Sequence, residues 1–228
     1  MTALGWEWHG RVPYGPALDA QRARRRQVLA GEAAEVIWLL EHPPVVTTGR
    51  RPAPGVPSAG DLAARGVELY AVERGGLATW HGPGQLVAYV IVEAGERGLG
   101  AKGLVVALED ATIAWLATQG LASGRRQGHP GVWVGKTKIC ALGLHFSRGV
   151  SMHGLALNLQ PDLSGFGLIV PCGIVDGEVG SLQSLTGGAP NVEEASKTLG
   201  PMLVQAIEQA TRDKNVSAER VDGSCSSQ

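Results

Sequence analysis

Three kinds of side chain in this sequence are candidates for covalent chemistry: a cysteine, a lysine and two histidines. Cys172 lies in Ile169–Gly173 (IVPCG), at the end of an apolar run, where its proline and glycine neighbours mark a sharp change of direction. A thiol at such a turn can face a cleft, and a nearby cation favours the reactive thiolate. The pattern predicts a nucleophilic Cys172, with a buried structural cysteine before a turn as the alternative.

Lys138 and two histidines are the candidate partners of that thiol. Lys138 lies in Gly135–Ile139, where a predicted hairpin enters an apolar strand, and strand alternation places Lys136 on the same face. If that face lines a pocket, the Lys138 ammonium can pair with the thiolate. His81 and His153 lie at the edges of predicted loops and are the rival partners, as in a cysteine–histidine hydrolase.

The other reactive residues and motifs do not predict a second site. Cys140 lies inside the apolar strand segment Ile139–Leu142, where a free cysteine is usually core packing, and Cys225 lies in the predicted tail. Gly131–Thr137 has the spacing GxxxGKT, one residue short of a phosphate-binding loop, and Pro130 stands where the first glycine is needed. The six histidines have no metal-ligand spacing, so we expect no metal.

The stretch Arg74–Tyr89 (RGGLATWHGPGQLVAY) has the densest set of residues with special backbone properties. It lies between the predicted strands Glu68–Val72 and Leu86–Val92. The proline of its Gly-Pro-Gly segment has a fixed φ, and the glycines can adopt conformations closed to other residues. We expect a backbone-rich loop that brings Arg74 and His81 to the end of a sheet, with a simple tight turn as the alternative.

Apolar periodicity predicts the elements that position these residues. Helices are expected over Tyr14–Gly31 and Leu104–Gln119, and from Asn191 toward Arg212, with an interruption at Gly200-Pro201. The predicted strands are Glu35–Glu41, Val45–Thr48, Glu68–Val72, Leu86–Val92, Val132–Val134, Thr137–His145 and Gly154–Leu159. Strands with only a few helices indicate an α+β or mixed α/β fold, in a single domain over 1–212. Residues 213–228 are polar and predict a disordered C-terminal tail.

Composition restricts the class of protein. The 228 residues are 44% hydrophobic and 18% charged with a formal net charge of −1, which is typical of a globular protein and indicates no nucleic-acid or membrane partner. No apolar run reaches the ~20 residues that span a bilayer, and the N-terminus has no signal-peptide pattern. Three cysteines without a CxxC pair favour a reducing cytoplasm. The basic cluster Arg22–Arg26 indicates either a solvated helix face or a docking patch for an acidic partner.

Four motifs, in this order, are similar to those of one known family. The segments RGGLATWHGPGQLVAY, GKTKICALGL, HGLALN and PCG, together with Leu40–Gly49, resemble the lipoyl(octanoyl) transferases over roughly residues 10–210. The resemblance implies the catalytic fold of the biotin/lipoate protein ligases and no cofactor. It implies transfer of an octanoyl group from acyl carrier protein to a lysine amine, the first step of lipoate assembly. The implied acceptors are the lipoyl domains of 2-oxoacid dehydrogenase complexes and the glycine cleavage H protein.

The resemblance also implies site residues. The family's nucleophile falls on Cys172 and its lysine partner on Lys138, so transfer through a Cys172 thioester with ping-pong kinetics is expected. His153 is a candidate supporting residue. The implied substrate-binding residues are Arg74, Gly75, Gly76, Leu77, Ala78, Thr79, Trp80, His81, Ala141, Leu142, Gly143, Gly154, Leu155 and Ala156. Two positions depart from the family pattern: Trp80 stands where tyrosine is also common, and Val90 where proline is frequent.

Three other functions are alternatives to this interpretation. An ATP-dependent lipoate or biotin protein ligase would share the fold but need a nucleotide site. A cysteine–histidine hydrolase would keep Cys172 and use His81 or His153 as its base. A non-enzymatic binding module for acyl carrier protein would keep the arginine cluster and tolerate the loss of Cys172.

Overall fold

The computed structural model describes residues 3–169 and 177–223, so Cys172 and Cys225 lie outside the described residues. The strands are β1 (Gly5–Arg11), β2 (Val36–Glu41), β3 (Val45–Thr48), β4 (Glu68–Ala71), β5 (Ala78–His81), β6 (Gln85–Ile91), β7 (Gly124–Arg126), β8 (His129–Val134), β9 (Thr137–Ser147), β10 (Val150–Asn158) and β11 (Glu178–Val179). The helices are α1 (Tyr14–Leu29), α2 (Ala59–Ala63), α3 (Gly100–Thr118), α4 (Leu182–Thr186) and α5 (Val192–Gly223), with a 3-10 helix at Leu163–Leu168.

Two mixed sheets make up the framework. The larger has the order β1-β2-β6-β10-β9-β8-β7, with β11 beside the start of β9, and the smaller has the order β4-β3-β5. The pairs β1–β2, β3–β4 and β9–β11 are parallel, and the other pairs are antiparallel. The predicted mixed α/β fold in one domain is confirmed. Within the described residues, no helix has the length and apolar composition to cross a membrane.

Helices cover both faces of the larger sheet. The helices α3 and α5 pack on one face, over a core that includes Leu39, Ala88 and Leu155. The helix α1 packs on the other face, against β6 and β10. Both of these central strands are buried along their whole length, as expected for strands covered on two sides. The smaller sheet lies on the α1 side and contacts α1 through a cluster that includes Tyr14 and Val45.

The last helix begins as the sequence predicts but is not interrupted. The Asn191 side chain accepts from the Glu194 N–H at 2.9 Å, and the Glu194 carboxylate accepts from the Asn191 N–H at 3.2 Å, so a capping box starts the helix where the sequence predicts it. The helix passes through Pro201 as one element, because Leu199 and Leu203 on either side are fully buried against the sheet. It continues to Gly223, past Arg212, where the sequence predicts a tail to begin.

Four strands were not predicted: β1, β5 and the short strands β7 and β11. The edge strand β1 alternates between exposed and half-buried residues, and Trp6 and Trp8 pack toward the core. Its period-two pattern is a strand signal that could have been read from the sequence. The strand β5 lies inside the stretch predicted to be a loop, and it pairs with β3. The Gly-Pro-Gly turn after His81 therefore connects one sheet to the other.

Candidate active site

A cavity of about 540 Å³ is lined by residues of both sheets. Lys138 and His153 line the cavity. The structure describes all fourteen predicted substrate-binding residues, and twelve of them line the cavity, whereas Leu77 and Trp80 do not. Trp80 instead packs in the core between the smaller sheet and the 3-10 helix, 5.4 Å from the Phe166 ring between centroids. The fold therefore brings residues from three separate sequence motifs to one place.

Arg74 and its neighbours make one wall of the cavity from backbone. The buried Arg74 guanidinium donates to the carbonyl oxygen and the hydroxyl of Thr47, at 2.7 and 2.9 Å from Nη2, which ties this turn to β3. The Gly75 N–H donates to the Leu144 carbonyl on β9 at 3.0 Å. A Cβ at Gly143 would lie 3.2 Å from the Gly75 oxygen and 3.3 Å from Arg74 Cδ. A methyl group at Gly143 would therefore fit only if these neighbours moved by a few tenths of an ångström.

A β-bulge turns Lys138 toward the cavity. The strands β8 and β9 pair as Val132 with Cys140 and then Trp133 with Lys138, so one step along β8 matches two steps along β9. Ile139 is the extra residue, and an extra residue reverses the alternation of side chains beyond it. Lys138 consequently lines the cavity, whereas Cys140 lies in the main core.

The surroundings of the bulge correct two sequence-based interpretations. Lys136, which strand alternation placed on the face of Lys138, lies in the turn before β9 and is exposed. The segment Gly131–Thr137 forms the β8–β9 hairpin, which differs from the strand–loop–helix arrangement of a phosphate-binding loop. The rejection of a phosphate loop on spacing is thus consistent with the geometry.

Gly131 provides the space that the Lys138 side chain occupies. Its φ is +128°, and a Cβ there would lie 2.9 Å from Lys138 Cε and 2.4 Å from the Cys140 oxygen. The Gly131 N–H donates to Glu109 Oε1 at 2.8 Å, and Arg125 Nε donates to Glu109 Oε2 at 2.6 Å. The buried Glu109 carboxylate on α3 therefore fixes β8 beside Lys138.

The cysteines differ in their position relative to the cavity. Cys140 is fully buried, and burial raises the pKa of its thiol to about 12, although the nearby Lys138 charge lowers it. The prediction that Cys140 is a packing residue is confirmed. Cys172 lies outside the described residues. The described chain before it ends at Ile169 and resumes before Val179, and both of these residues line the cavity.

His81 and His153 line the cavity as neutral imidazoles. The His81 Nδ1–H donates to Gln85 Oε1 at 2.7 Å, and burial together with the neighbouring His42 lowers the His81 pKa to about 3. Burial, followed by the Arg74 charge, lowers the pKa of His153 to about 3. A base with so low a pKa is poorly matched to proton abstraction near neutral pH, which disfavours a cysteine–histidine hydrolase.

Tyrosines form a part of the cavity that the sequence did not predict. Tyr14 and Tyr89 both line it. The Tyr89 hydroxyl donates to His42 Nε2 at 2.6 Å, and His42 Nδ1–H donates to the Val12 carbonyl at 2.6 Å, which fixes the imidazole tautomer. Burial raises the pKa of Tyr14 to about 12, so its hydroxyl keeps its proton. These residues come from three distant segments, so no local sequence pattern predicts that they meet.

Part of the Arg22–Arg26 cluster is engaged within the protein. Arg22 donates to the Glu73 carboxylate, at 2.7 Å from Nη2. The Arg24 guanidinium lies over the Trp38 ring, 5.5 Å from its centroid. These two residues therefore make contacts between α1 and its neighbours, and the solvated face and the docking patch stay predictions for the cluster.

Comparisons with known proteins agree with the fold and the motifs. The family model for the lipoyl protein ligase A/B catalytic domain matches residues 13–202. A protein of Chloroflexus aurantiacus named octanoyltransferase is 44% identical over 204 residues, which is 87% of this chain and 92% of the relative. A protein of the same name from Chloroflexus aggregans is 45% identical over 195 residues, covering 83% of this chain and 88% of the relative.

Solved structures of low sequence identity have the same fold. The crystal structure of lipoate-protein ligase A bound with ATP superposes with a TM-score of 0.67 at 13% identity, covering 92% of each chain. At 13% identity, the similarity supports the arrangement of sheets and helices alone. The chemistry has to be argued from the residues of this chain.

Proposed function

Because the chain belongs to the lipoyl protein ligase A/B catalytic-domain family, we propose that it is an octanoyltransferase that uses Cys172 and Lys138. The donor is octanoyl-acyl carrier protein. The acceptors are lysine amines of lipoyl domains, in 2-oxoacid dehydrogenase complexes and in the glycine cleavage H protein. The observation that carries this proposal is the position of Lys138, an ammonium on the wall of a cavity that Leu142, Leu155 and backbone also line.

The first half-reaction moves the acyl group onto the enzyme. The Cys172 thiolate attacks the thioester carbonyl, a carbon–sulfur bond to Cys172 forms, and the bond to the carrier's sulfur breaks. The carrier leaves as a thiolate and takes up a proton. The Lys138 ammonium favours the thiolate form of Cys172 because an opposite charge at short range lowers a thiol pKa. The apolar side chains of Leu142 and Leu155 and the glycines at 75, 143 and 154 line the acyl channel.

The second half-reaction moves the acyl group to the acceptor. A neutral lysine amine attacks the Cys172 thioester, a carbon–nitrogen bond forms, and the carbon–sulfur bond breaks to return the thiolate. Lys138, left neutral after giving its proton to the departing carrier thiolate, takes up the proton lost by the amine nitrogen, which restores the ammonium beside the thiolate. Bond making and breaking balance in both steps without ATP or a redox partner.

The histidines of the cavity and Cys140 support the competing functions less well. A hydrolase would need His81 or His153 as a base near neutral pH, and both have pKa values of about 3. Cys140 is a poor alternative nucleophile because its thiol is buried in the core. An ATP-dependent ligase of the same fold is distinguished by experiment, since it would transfer nothing without nucleotide.

Intact mass spectrometry after incubation with octanoyl-acyl carrier protein, without ATP, tests the proposal. The parent protein should gain one octanoyl group, Cys172→Ser should gain none, and Lys138→Ala should be acylated at least about tenfold more slowly. The Cys140→Ala variant is the matched control and should be acylated like the parent. A chase with a lipoyl domain should then transfer the group to its lysine.

Two results would contradict the proposal. A folded parent protein that gains no octanoyl group, or that needs ATP to acylate the lipoyl domain, would favour the ligase. An adduct that survives Cys172→Ser but disappears in Cys140→Ala would place the nucleophile in the core strand.

A further inference from the structure

An indole ring lies against the side chain of Lys138. The Lys138 Nζ is 4.9 Å from the centroid of the Trp133 ring, within the ~6 Å over which an aromatic face attracts a cation. The two residues are directly paired across β8 and β9, at the bulge that turns Lys138 toward the cavity. The β8–β9 register and the Trp133 ring therefore both determine where the Lys138 side chain lies.

Trp133 is itself held in one orientation. Its side chain is buried, and its Nε1–H donates to the His129 carbonyl at 3.0 Å. The His129 ring meets the indole edge-on, 6.0 Å away between centroids, and the Arg126 guanidinium carbon is 5.1 Å from the indole centroid. A ring fixed in this way offers the ammonium one preferred position.

We propose that Trp133 is the positioning residue for Lys138, and that its indole face holds the Lys138 ammonium at the cavity wall. The inference rests on the proposed function, because it names the residue that aims the lysine of that site. Trp133 is not among the described residues that line the cavity, so it acts through Lys138 and not on the acyl group.

Both the charge of the Lys138 ammonium and the shape of the space around its stem contribute to this positioning. On one side the Lys138 stem passes the bare backbone of Gly131, where a Cβ would lie only 2.9 Å from Cε. The indole supplies the electron-rich face that a cation prefers, and an aliphatic side chain of similar volume would supply only apolar contact. Phenylalanine and leucine at position 133 therefore separate the aromatic contribution from simple filling of space.

Nuclear magnetic resonance of lysine labelled with carbon-13 at Cε measures the contact directly. The chain has five lysines, and Lys138→Arg identifies the signal of Lys138. Protons above an aromatic ring are shifted upfield, so the Lys138 signal should be shifted in the parent and in Trp133→Phe. It should return to the position of an exposed lysine in Trp133→Leu. Arg126→Gln, which removes the other cation beside the same ring, is the matched control and should leave the signal in place.

The rate of acyl-enzyme formation then connects the contact to the chemistry. Trp133→Leu should slow it about tenfold at saturating donor, with little change in the donor concentration for half-maximal rate, and the basic limb of its pH–rate profile should move to lower pH. Trp133→Phe should stay within about threefold of the parent. Circular dichroism of each variant establishes that it is folded.

Each outcome decides the inference. An unshifted Lys138 signal in the parent would overturn it, as would a folded Trp133→Leu variant with the parent's rate and pH profile. Equal losses in the leucine and phenylalanine variants would mean that Trp133 only fills space. A parent that forms no acyl-enzyme refutes the proposed octanoyl transfer, and the magnetic resonance signal still decides whether the indole holds the ammonium.

Discussion

Replacing Gly131 with alanine tests the backbone geometry that carries Lys138 into the cavity. Gly131 has a φ of +128°, and the added methyl would lie 2.4 Å from the Cys140 oxygen and 2.9 Å from Lys138 Cε. The oxygen belongs to a paired strand and cannot move far. We therefore expect the β8 backbone to shift, the Lys138 side chain to be displaced, and the hydrogen bond from the Gly131 N–H to Glu109 to lengthen.

Three contributions give the expected loss of unfolding free energy in Gly131→Ala. A side chain at this φ costs about 1–3 kcal/mol of backbone strain. Relief of the overlap with a backbone oxygen and Lys138 Cε costs about 1–3 kcal/mol more, as for other overpacked sites. The lower entropy of the unfolded alanine variant returns about 0.4–1 kcal/mol. The net loss of unfolding free energy is roughly 2–5 kcal/mol, which lowers Tm by about 5–15 °C for a domain of this size.

Gly135 in the same hairpin is the matched control. It also has a positive φ, +59°, but a Cβ there would meet no atom within 4 Å. Gly135→Ala should cost only the ~1–2 kcal/mol of the left-handed conformation, of which the unfolded-state entropy returns about 0.4–1 kcal/mol. A Tm change of at most about 5 °C is therefore expected. Thermal unfolding by calorimetry compares the two variants, and acyl-enzyme formation at 20 °C reports on Lys138. Equal Tm changes in both variants, or a Gly131→Ala variant with the parent's acylation rate, would refute the reasoning.

Three further predictions follow from the cavity and its titratable groups. Gly143→Ala narrows the cavity beside Gly75 and should slow octanoyl transfer about tenfold more than butyryl transfer, measured by acyl-enzyme formation from the two donors. Cys140→Ala should keep the acylation rate within about twofold and lower Tm by about 2–4 °C in calorimetry, since it removes one buried sulfur. His42, His81 and His153 have lowered pKa values of about 4, 3 and 3, so the unfolded chain binds more protons below pH 6.5. The free energy of unfolding should fall between pH 6.5 and about 4 by up to ~1.4 kcal/mol per pH unit for each histidine, measured by urea unfolding.

Local patterns predicted the elements that depend on local physics. The helix predicted at Tyr14–Gly31 is found at Tyr14–Leu29, because its apolar spacing and C-terminal glycine are readable within a few turns. The strand predicted at Val45–Thr48 has those bounds in the structure. The helix α3 begins at Gly100, before the predicted Leu104, because its first turn carries little apolar signal. Element types were thus predicted better than their ends.

The site depends on features that no local pattern contains. The bulge at Ile139 is visible only when β9 is paired with β8, and strand alternation alone placed Lys136 beside Lys138. The cavity wall formed by Tyr14 and Tyr89 joins a helix to a strand of the larger sheet, so only the fold shows that the two meet. The motif residues were found because the resemblance supplied long-range information that periodicity lacks.

The cavity's charges favour a lysine over a histidine as the partner of the proposed nucleophile. The histidines on its walls are neutral because burial disfavours the imidazolium, and the Arg74 guanidinium donates to Thr47 on β3. Lys138 is half-buried on the cavity wall, beside an indole that stabilises a cation. Cys140 shows that a nearby ammonium alone is insufficient, because burial still raises the pKa of its thiol to about 12. A reactive thiol must therefore meet Lys138 from the cavity side, where the bulge directs the ammonium.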